Sequence, residues 1–311
     1  MTAPIDIPSP TDSAAVSGPD RRFVVGDELP IHVLSLGAGV QSSTLALMAA
    51  HGEVPHLPHP VAAIFADTQD EPASVYRWLG TLTKLISQAP HPFPVLVVTK
   101  GRLADATLKM RVSAKGGLFS STDIPFFTLN DDGSGGKITN RGCTRDYKLD
   151  PIMKKARELG AVPRKRKTGN RVHVVQWIGI SLDEIYRMKP SRDWWAESIW
   201  PLVDLRMNRH DCKRWMEAKG YPEPPRSSCV YCPYHNNHEW RRLRDEEPEE
   251  FAKAVEFERQ LQETKAASSN FKTTPFLHRS LVPLDQVDLS TDEERGQGNL
   301  FTNECIGMCG V

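Results

Sequence analysis

The sequence predicts an α/β protein built on a doubly wound parallel sheet, with a cysteine-containing C-terminal extension. Three observations point there. Short apolar strand patterns alternate with helical patterns between residues 31 and 180. A Gly-rich turn, Ser35-Leu36-Gly37-Ala38-Gly39-Val40-Gln41-Ser42-Ser43-Thr44, joins the first strand to the first helix. Polar residues gather just past the carboxyl ends of several strands, where open parallel sheets place their ligands.

Taken in order, residues 31–34 read as a buried strand and residues 45–50 as a helix closed by Gly52. The turn between them presents backbone N–H groups and the positive end of a helix dipole to one point, as a phosphate cradle does. It has neither the Lys of a standard NTPase P-loop nor the glycine spacing of dinucleotide binders. A plain strand-to-helix turn is the competing reading. Residues 61–66 form a second strand ending in Asp67-Thr68. A helix then starts near Pro72, with Glu71 by its positive end and Val75, Trp78, Leu79, Leu82 and Ile86 on one face. Residues 94–99 are a third strand. Residues 112–142, rich in Gly and Asp, read as a long mobile loop of the kind used as a lid.

After Pro151 a helix turns Ile152, Met153, Ala156 and Leu159 inward and stops at Gly160. Residues 172–180 are a strand running into Ser181-Leu182-Asp183-Glu184-Ile185-Tyr186-Arg187. Residues 208–219 read as a capped helix burying Cys212, Trp215 and Met216. A charged helix begins near Pro248 with Phe251, Ala254, Val255 and Leu261 as its apolar line. The expected organisation is a disordered tail over 1–28, a nucleotide-binding domain over 29–205, and a helical, metal-binding region over 206–311.

Charge is balanced at 39 basic and 39 acidic residues, so no global field commits the chain to nucleic acid. Residues 137–171, however, carry twelve Lys and Arg against three Asp and Glu, including Arg164-Lys165-Arg166-Lys167. That run is either a solvated loop or a surface for polyanions. No 18-residue apolar stretch and no signal peptide are evident, so a cytoplasmic protein without membrane partners is expected. In that compartment six cysteines point to metal or chemistry rather than disulfides.

Cys229-x-x-Cys232, followed by Pro233, has the spacing of a chelating knuckle, and Cys305-x-x-x-Cys309 offers a second pair. Four thiolates suit Zn²⁺ or an iron–sulfur cluster equally. Cys143, flanked by Arg141, Arg145 and Lys148, has surroundings that favour a thiolate, reactive or metal-ligating. Cys212 reads as packing, Trp194 and Trp195 as core, and His235 and His238 as polar groups at a helix start. Ser42 and Ser43 are helix caps or phosphate contacts. Asp183 and Glu184 are surface carboxylates or ligands for Mg²⁺ or substrate.

The Gly-rich turn, Asp67, the stretch from Cys143-Thr144 through Lys148 to Pro151, and Asp183-Glu184 with Arg187 together carry a resemblance. Over about residues 30 to 240 the chain resembles the PP-loop ATP pyrophosphatases. It is most similar to their phosphoadenosine phosphosulfate (PAPS) reductase-like branch, which includes enzymes of DNA phosphorothioation and tRNA thiolation. The family's turn is usually Ser-Gly-Gly-x-Asp-Ser; here its first Ser and its Asp are replaced, the latter by Gln41. The resemblance implies an adenine nucleotide alpha hydrolase-like (HUP-type) fold. It implies nucleotide binding by Ser35, Gly37, Ala38, Gly39, Gln41, Ser42, Ser43, Asp67, Thr68, Gly179, Arg145 and Lys148. It places catalysis at Cys143, Asp183, Glu184 and Arg187. Cys143, Cys229 and Cys232, with Cys305 and Cys309 as further candidates, would hold a 4Fe–4S cluster, with Zn²⁺ as the alternative.

The expected function is ATP- and Mg²⁺-dependent adenylation followed by sulfur transfer. The sulfur would come from a cysteine desulfurase or sulfide, and the acceptor would be tRNA or DNA; a homodimer is compatible with this reading. Two alternatives remain open. One is a phosphosulfate-nucleotide reductase with a catalytic C-terminal cysteine. The other is a non-catalytic nucleotide-binding sensor or defence subunit.

Overall fold

Successive side chains of a strand face opposite ways, so a strand covered on both sides carries apolar residues at consecutive positions rather than alternate ones. In the computed structural model β1 (Ile31–Leu36) is such a strand. Leu34 and Leu36 pack on one side with Ala63, Phe65, Val175 and Trp177. Val33 packs on the other with Ile64, Ala66 and Val174. The structure describes residues 29–121, 123–129, 132–136, 141–161, 172–269 and 271–291. The expected tail over 1–28, the basic run at 164–167, and Cys305 and Cys309 lie outside the described residues.

After β1 the chain forms α1 (Val40–Ala50), β2 (Ala62–Asp67), α2 (Ala73–Gln88), β3 (Val95–Thr99), α3 (Leu103–Leu108), β4 (Met110–Val112), β5 (Leu118–Ser120) and β6 (Phe127–Leu129). A π-helical stretch over Cys143–Leu149 leads into α4 (Asp150–Glu158). Then come β7 (Val174–Ile178), a 3₁₀ turn over Leu182–Arg187, β8 (Ala196–Ile199), α5 (Pro201–Asp204), α6 (Arg209–Ala218), α7 (Asn237–Glu246), α8 (Pro248–Ala266) and β9 (Thr274–Phe276).

The central sheet has five parallel strands in the order β3-β2-β1-β7-β8. Helices cover both faces, as a doubly wound sheet requires. Leu45 and Leu47 of α1, Val75 and Leu82 of α2, and Cys212 and Met216 of α6 pack on one face. Ile152, Met153 and Ala156 of α4 pack on the other. Each fully buried Leu, Ile, Val or Phe contributes about 1.5–3 kcal/mol relative to exposure. α2 buries Val75, Trp78, Leu79, Leu82 and Ile86, the face its periodicity predicts. α1 is buried on nearly every side, so no amphipathic stripe marks it. Asn208 and Asp211 close a capping box on α6, each side chain accepting from the other's backbone N–H at 2.9 Å.

A second cluster joins Leu103, Phe126 and Tyr147 to Tyr231, Trp240, Phe257, Leu261 and Leu277. Glu258 is buried there and accepts from the backbone N–H of Leu277 at 2.7 Å and of Leu284 at 2.6 Å. The long loop expected over 112–142 needs correction. β4 and β5 form an antiparallel hairpin with Met110 opposite Ser120, and β6 pairs with β9. Strands of three residues are too short to show a period of two. β6 is also stabilised by a partner about 145 residues away, which no local pattern reveals. Packing does not part at residue 205 either: Leu202, Cys212 and Met216 share the sheet's core, while segments from 103–147 and 230–289 share the second cluster. Among the described residues no helix is long and apolar enough to cross a membrane.

Candidate functional site

Chain order reverses across the β1–β7 pair, and a crevice opens outside the carboxyl ends of strands at such a switch point. The Gly-rich turn leaves β1 there. Ala38 takes φ +59°, a left-handed conformation of the kind found in backbone N–H nests, and Gly39 caps α1 in an extended conformation. Val40, Gln41 and Ser42 occupy the first turn of α1, where N–H groups have no intrahelical acceptor. The Ser42 hydroxyl accepts from Gly37 N–H at 3.2 Å and donates to Gly39 O at 3.3 Å, tying the loop across itself. Gly179, just past β7, closes the other side. A Cβ on it would lie 2.8 Å from both N and Cα of Ser42, so only glycine lets the two segments approach this closely.

The cleft at this point has a volume of about 1260 Å³, larger than a usual small-molecule pocket. Of the residues expected to bind nucleotide, Ser35, Gly37, Gly39, Gln41, Ser42, Lys148 and Gly179 line it. Ser35 Oγ accepts from Gln176 Nε2. Ala38 is buried beneath the loop, and Ser43 faces the core, its Oγ accepting from Trp78 Nε1 at 2.9 Å. The cleft lining does not include Asp67 or Thr68. Asp67 accepts from Gln69 N–H at 2.7 Å and from the Tyr76 hydroxyl at 2.8 Å. Arg145 is exposed and paired with Asp146 at 2.7 Å.

Asp183, Glu184 and Arg187 also line the cleft. Asp183 Oδ1 accepts from Ser181 Oγ at 2.7 Å and from Arg209 N–H at 3.0 Å, while Glu184 holds Arg187 at 2.7 Å. Arg209, on the first turn of α6, reaches Gln41 Oε1 through Nη1 at 3.0 Å.

Cys143, Cys229 and Cys232 line one smaller cavity, and Thr144 and Lys148 line both this cavity and the cleft. The π-helical stretch explains that double role, because it sets Cys143, Thr144 and Lys148 along one wall; its wider turn is closed by Asp150 N–H donating to Arg145 O. Between the two spaces sits Glu71. Its Oε1 lies 3.6 Å from Lys148 Nζ and 3.6 Å from Cys229 Sγ, and its Oε2 is buried without a hydrogen-bond partner. Burial raises the Glu71 pKa despite Lys148, since desolvation outweighs an ion pair at that distance. Burial, then the neighbouring Glu71, pushes the Cys229 thiol well above its ordinary range, and Thr68 Oγ1 stands 3.1 Å from its sulfur.

Three thiols around one cavity suit a soft metal or an iron–sulfur cluster in donor chemistry. Among the described residues, however, no three His, Cys, Asp or Glu side chains converge as ligands of one ion. His235, the nearest imidazole in sequence, is turned away from such a role. Its Nε2 lies 3.0 Å from Cys229 O, and burial pulls its pKa down to about 3. Cys212 is buried in the sheet core and Trp195 is buried, as expected of packing residues, whereas Trp194, also read as core, is exposed.

No family model matches the chain, and no curated protein matches it. The site therefore rests on its own geometry. Sequence reading passed over Arg209 and Arg77 as cleft residues and used Glu71 only as a charge near a helix end. The signal available for Glu71 was its place four residues beyond β2; Arg209 had none, because it comes from a helix packed behind the sheet.

Proposed function

We propose that this chain binds ATP in the Gly37–Ser42 cradle and spends it on adenylating an acceptor that then receives sulfur. The observation that supports this most is the shared wall: Thr144 and Lys148 border both the switch-point cleft and the three-cysteine cavity. An activated acceptor and a sulfur carrier would thus meet without crossing solvent.

The N–H groups of the loop and of the first turn of α1 hold phosphate oxygens and stabilise the charge that develops on them. An acceptor oxygen attacks the α-phosphorus, the bond to the pyrophosphate oxygen breaks, and pyrophosphate leaves. Sulfide then attacks the activated atom and AMP departs with the former acceptor oxygen; where a cysteine desulfurase supplies the sulfur as a persulfide, a thiol reductant first releases it as sulfide and is itself oxidised to the disulfide. Asp183, which lies at the cleft, is the residue assigned to Mg²⁺, with Glu184 holding Arg187 toward the substrate. Cys143, Cys229 and Cys232 would hold a 4Fe–4S cluster, which supplies a soft site for sulfide; Zn²⁺ is the alternative occupant. Arg77 and Arg226 line the same cleft and suit a tRNA or DNA acceptor.

The test is anaerobic purification followed by iron, zinc and sulfide analysis, ATP titration, and pyrophosphate assay with tRNA and DNA. About four irons with matching sulfide, ATP binding and acceptor-dependent pyrophosphate are expected. Tightly held zinc without iron ends the cluster assignment. ATP binding without pyrophosphate from any acceptor favours the sensor reading.

A further inference from the structure

The cleft's cations are not equivalent. Lys148, Arg187, Lys213 and Arg242 each have a carboxylate within ion-pair distance, from Glu71, Glu184, Glu223 and Glu239 respectively. Arg77 and Arg209 have none within 4.0 Å of their guanidinium groups among the described residues, and of the two it is Arg209 that a side chain of the Gly-rich loop's helix holds. What holds it is a neutral amide, Gln41 Oε1, at 3.0 Å from Nη1. Gln41 is itself fixed, being 8% exposed, in the first turn of α1, with its Nε2 3.4 Å from Ser181 Oγ. The two residues are 168 apart in sequence, so the fold has brought a guanidinium to the rim of the N–H cradle and oriented it without cancelling its charge.

The distinction is physical. A carboxylate at position 41 would form an ion pair with Arg209 and remove most of the field it offers a ligand. An amide accepts one N–H and leaves the positive charge and the remaining donors available, in the fork geometry that matches phosphate oxygens. We propose that Arg209, positioned by Gln41, binds the pyrophosphate portion of the nucleotide and makes the site selective for nucleoside triphosphate over monophosphate. This rests on the reading of the Gly37–Ser42 loop as a nucleotide cradle.

The experiment is calorimetric titration of the full chain with ATP, inorganic pyrophosphate and AMP, for the wild type, Arg209→Gln and Arg209→Lys. Arg209→Gln weakens ATP and pyrophosphate by about tenfold or more and leaves AMP within about twofold. Arg209→Lys, which keeps the charge but loses the fork, falls between wild type and Arg209→Gln; circular dichroism confirms that both variants are folded. Unchanged pyrophosphate affinity in Arg209→Gln overturns the inference alone, leaving the cradle intact. A parallel loss of AMP affinity also overturns it, since Arg209 would then act on the α-phosphate. A wild-type protein that binds neither ATP nor pyrophosphate overturns the cradle reading and this inference with it.

Discussion

A Cβ placed on Gly179 would stand 2.8 Å from the backbone nitrogen of Ser42. The end of β7 and the first turn of α1 are therefore in direct backbone contact, and the mouth of the cleft is set by that contact. Gly179→Ala forces one of the two segments to move, because the obstructing atoms are backbone and cannot rotate aside. The expected cost is about 1–3 kcal/mol of stability, with a clear loss of ATP affinity. Urea unfolding and ATP titration read the two effects separately. Wild-type ATP affinity in a folded Gly179→Ala protein would show that the cradle lies elsewhere.

Ser43 separates packing from binding. Its hydroxyl accepts from buried Trp78 Nε1 at 2.9 Å and is wholly inaccessible. Ser43→Ala strands the indole N–H, which costs about 1–3 kcal/mol, while ATP affinity stays unchanged. A folded variant that keeps its stability but loses ATP would reverse this assignment.

His32 gives the protein an acid-sensitive element. It is buried in β1, its Nδ1 accepts from Trp177 Nε1 at 2.9 Å, and burial pulls its pKa down to about 4. An unfolded histidine protonates near 6.5, so between those values the unfolded state holds the extra proton. Its contribution is thus full above that range and is lost as pH falls from about 6.5 towards 4. The raised carboxyl groups of Asp70, Glu71 and Glu258 act with the opposite sign, the folded state holding their proton. A variant comparison cancels them. His32→Asn keeps an acceptor for Trp177 but cannot titrate, so its stability should fall less across this window, by roughly 2–3 kcal/mol. Parallel urea-unfolding curves for the two proteins from pH 7 to 4 would refute this.

Cys212 should be chemically silent. It is fully buried against the sheet, and desolvation pushes its thiol up to about 12. Iodoacetamide at pH 8, followed by peptide mass spectrometry, is expected to modify it only after denaturation. Native labelling at Cys212 on the timescale of exposed thiols would mean that α6 opens readily from the core.

Much of the framework was legible residue by residue. Val75, Trp78, Leu79, Leu82 and Ile86 announced α2 because only one helical face is buried, and Asn208 announced α6 because its cap chemistry is local. The Gly-rich turn was legible as the junction of β1 and α1 because a strand pattern, two glycines and a helix pattern follow one another in the chain. β6 and β9 were not legible, since each three-residue strand depends on the other. Thr68 was expected near the nucleotide but is buried against Cys229, a neighbour 161 residues away.

The sequence by itself determined the alternation of strands and helices, the loop at the head of α1 and the supply of thiols. These follow from periodicity, capping and side-chain chemistry within a few residues. Only the tertiary structure decided that β7 lies beside β1, that Gly179 meets Ser42, that Glu71 stands between Lys148 and Cys229, and that Gln41 holds Arg209. Those relationships join residues far apart in the chain. They are set by strand order and by burial of apolar faces, which no local pattern encodes.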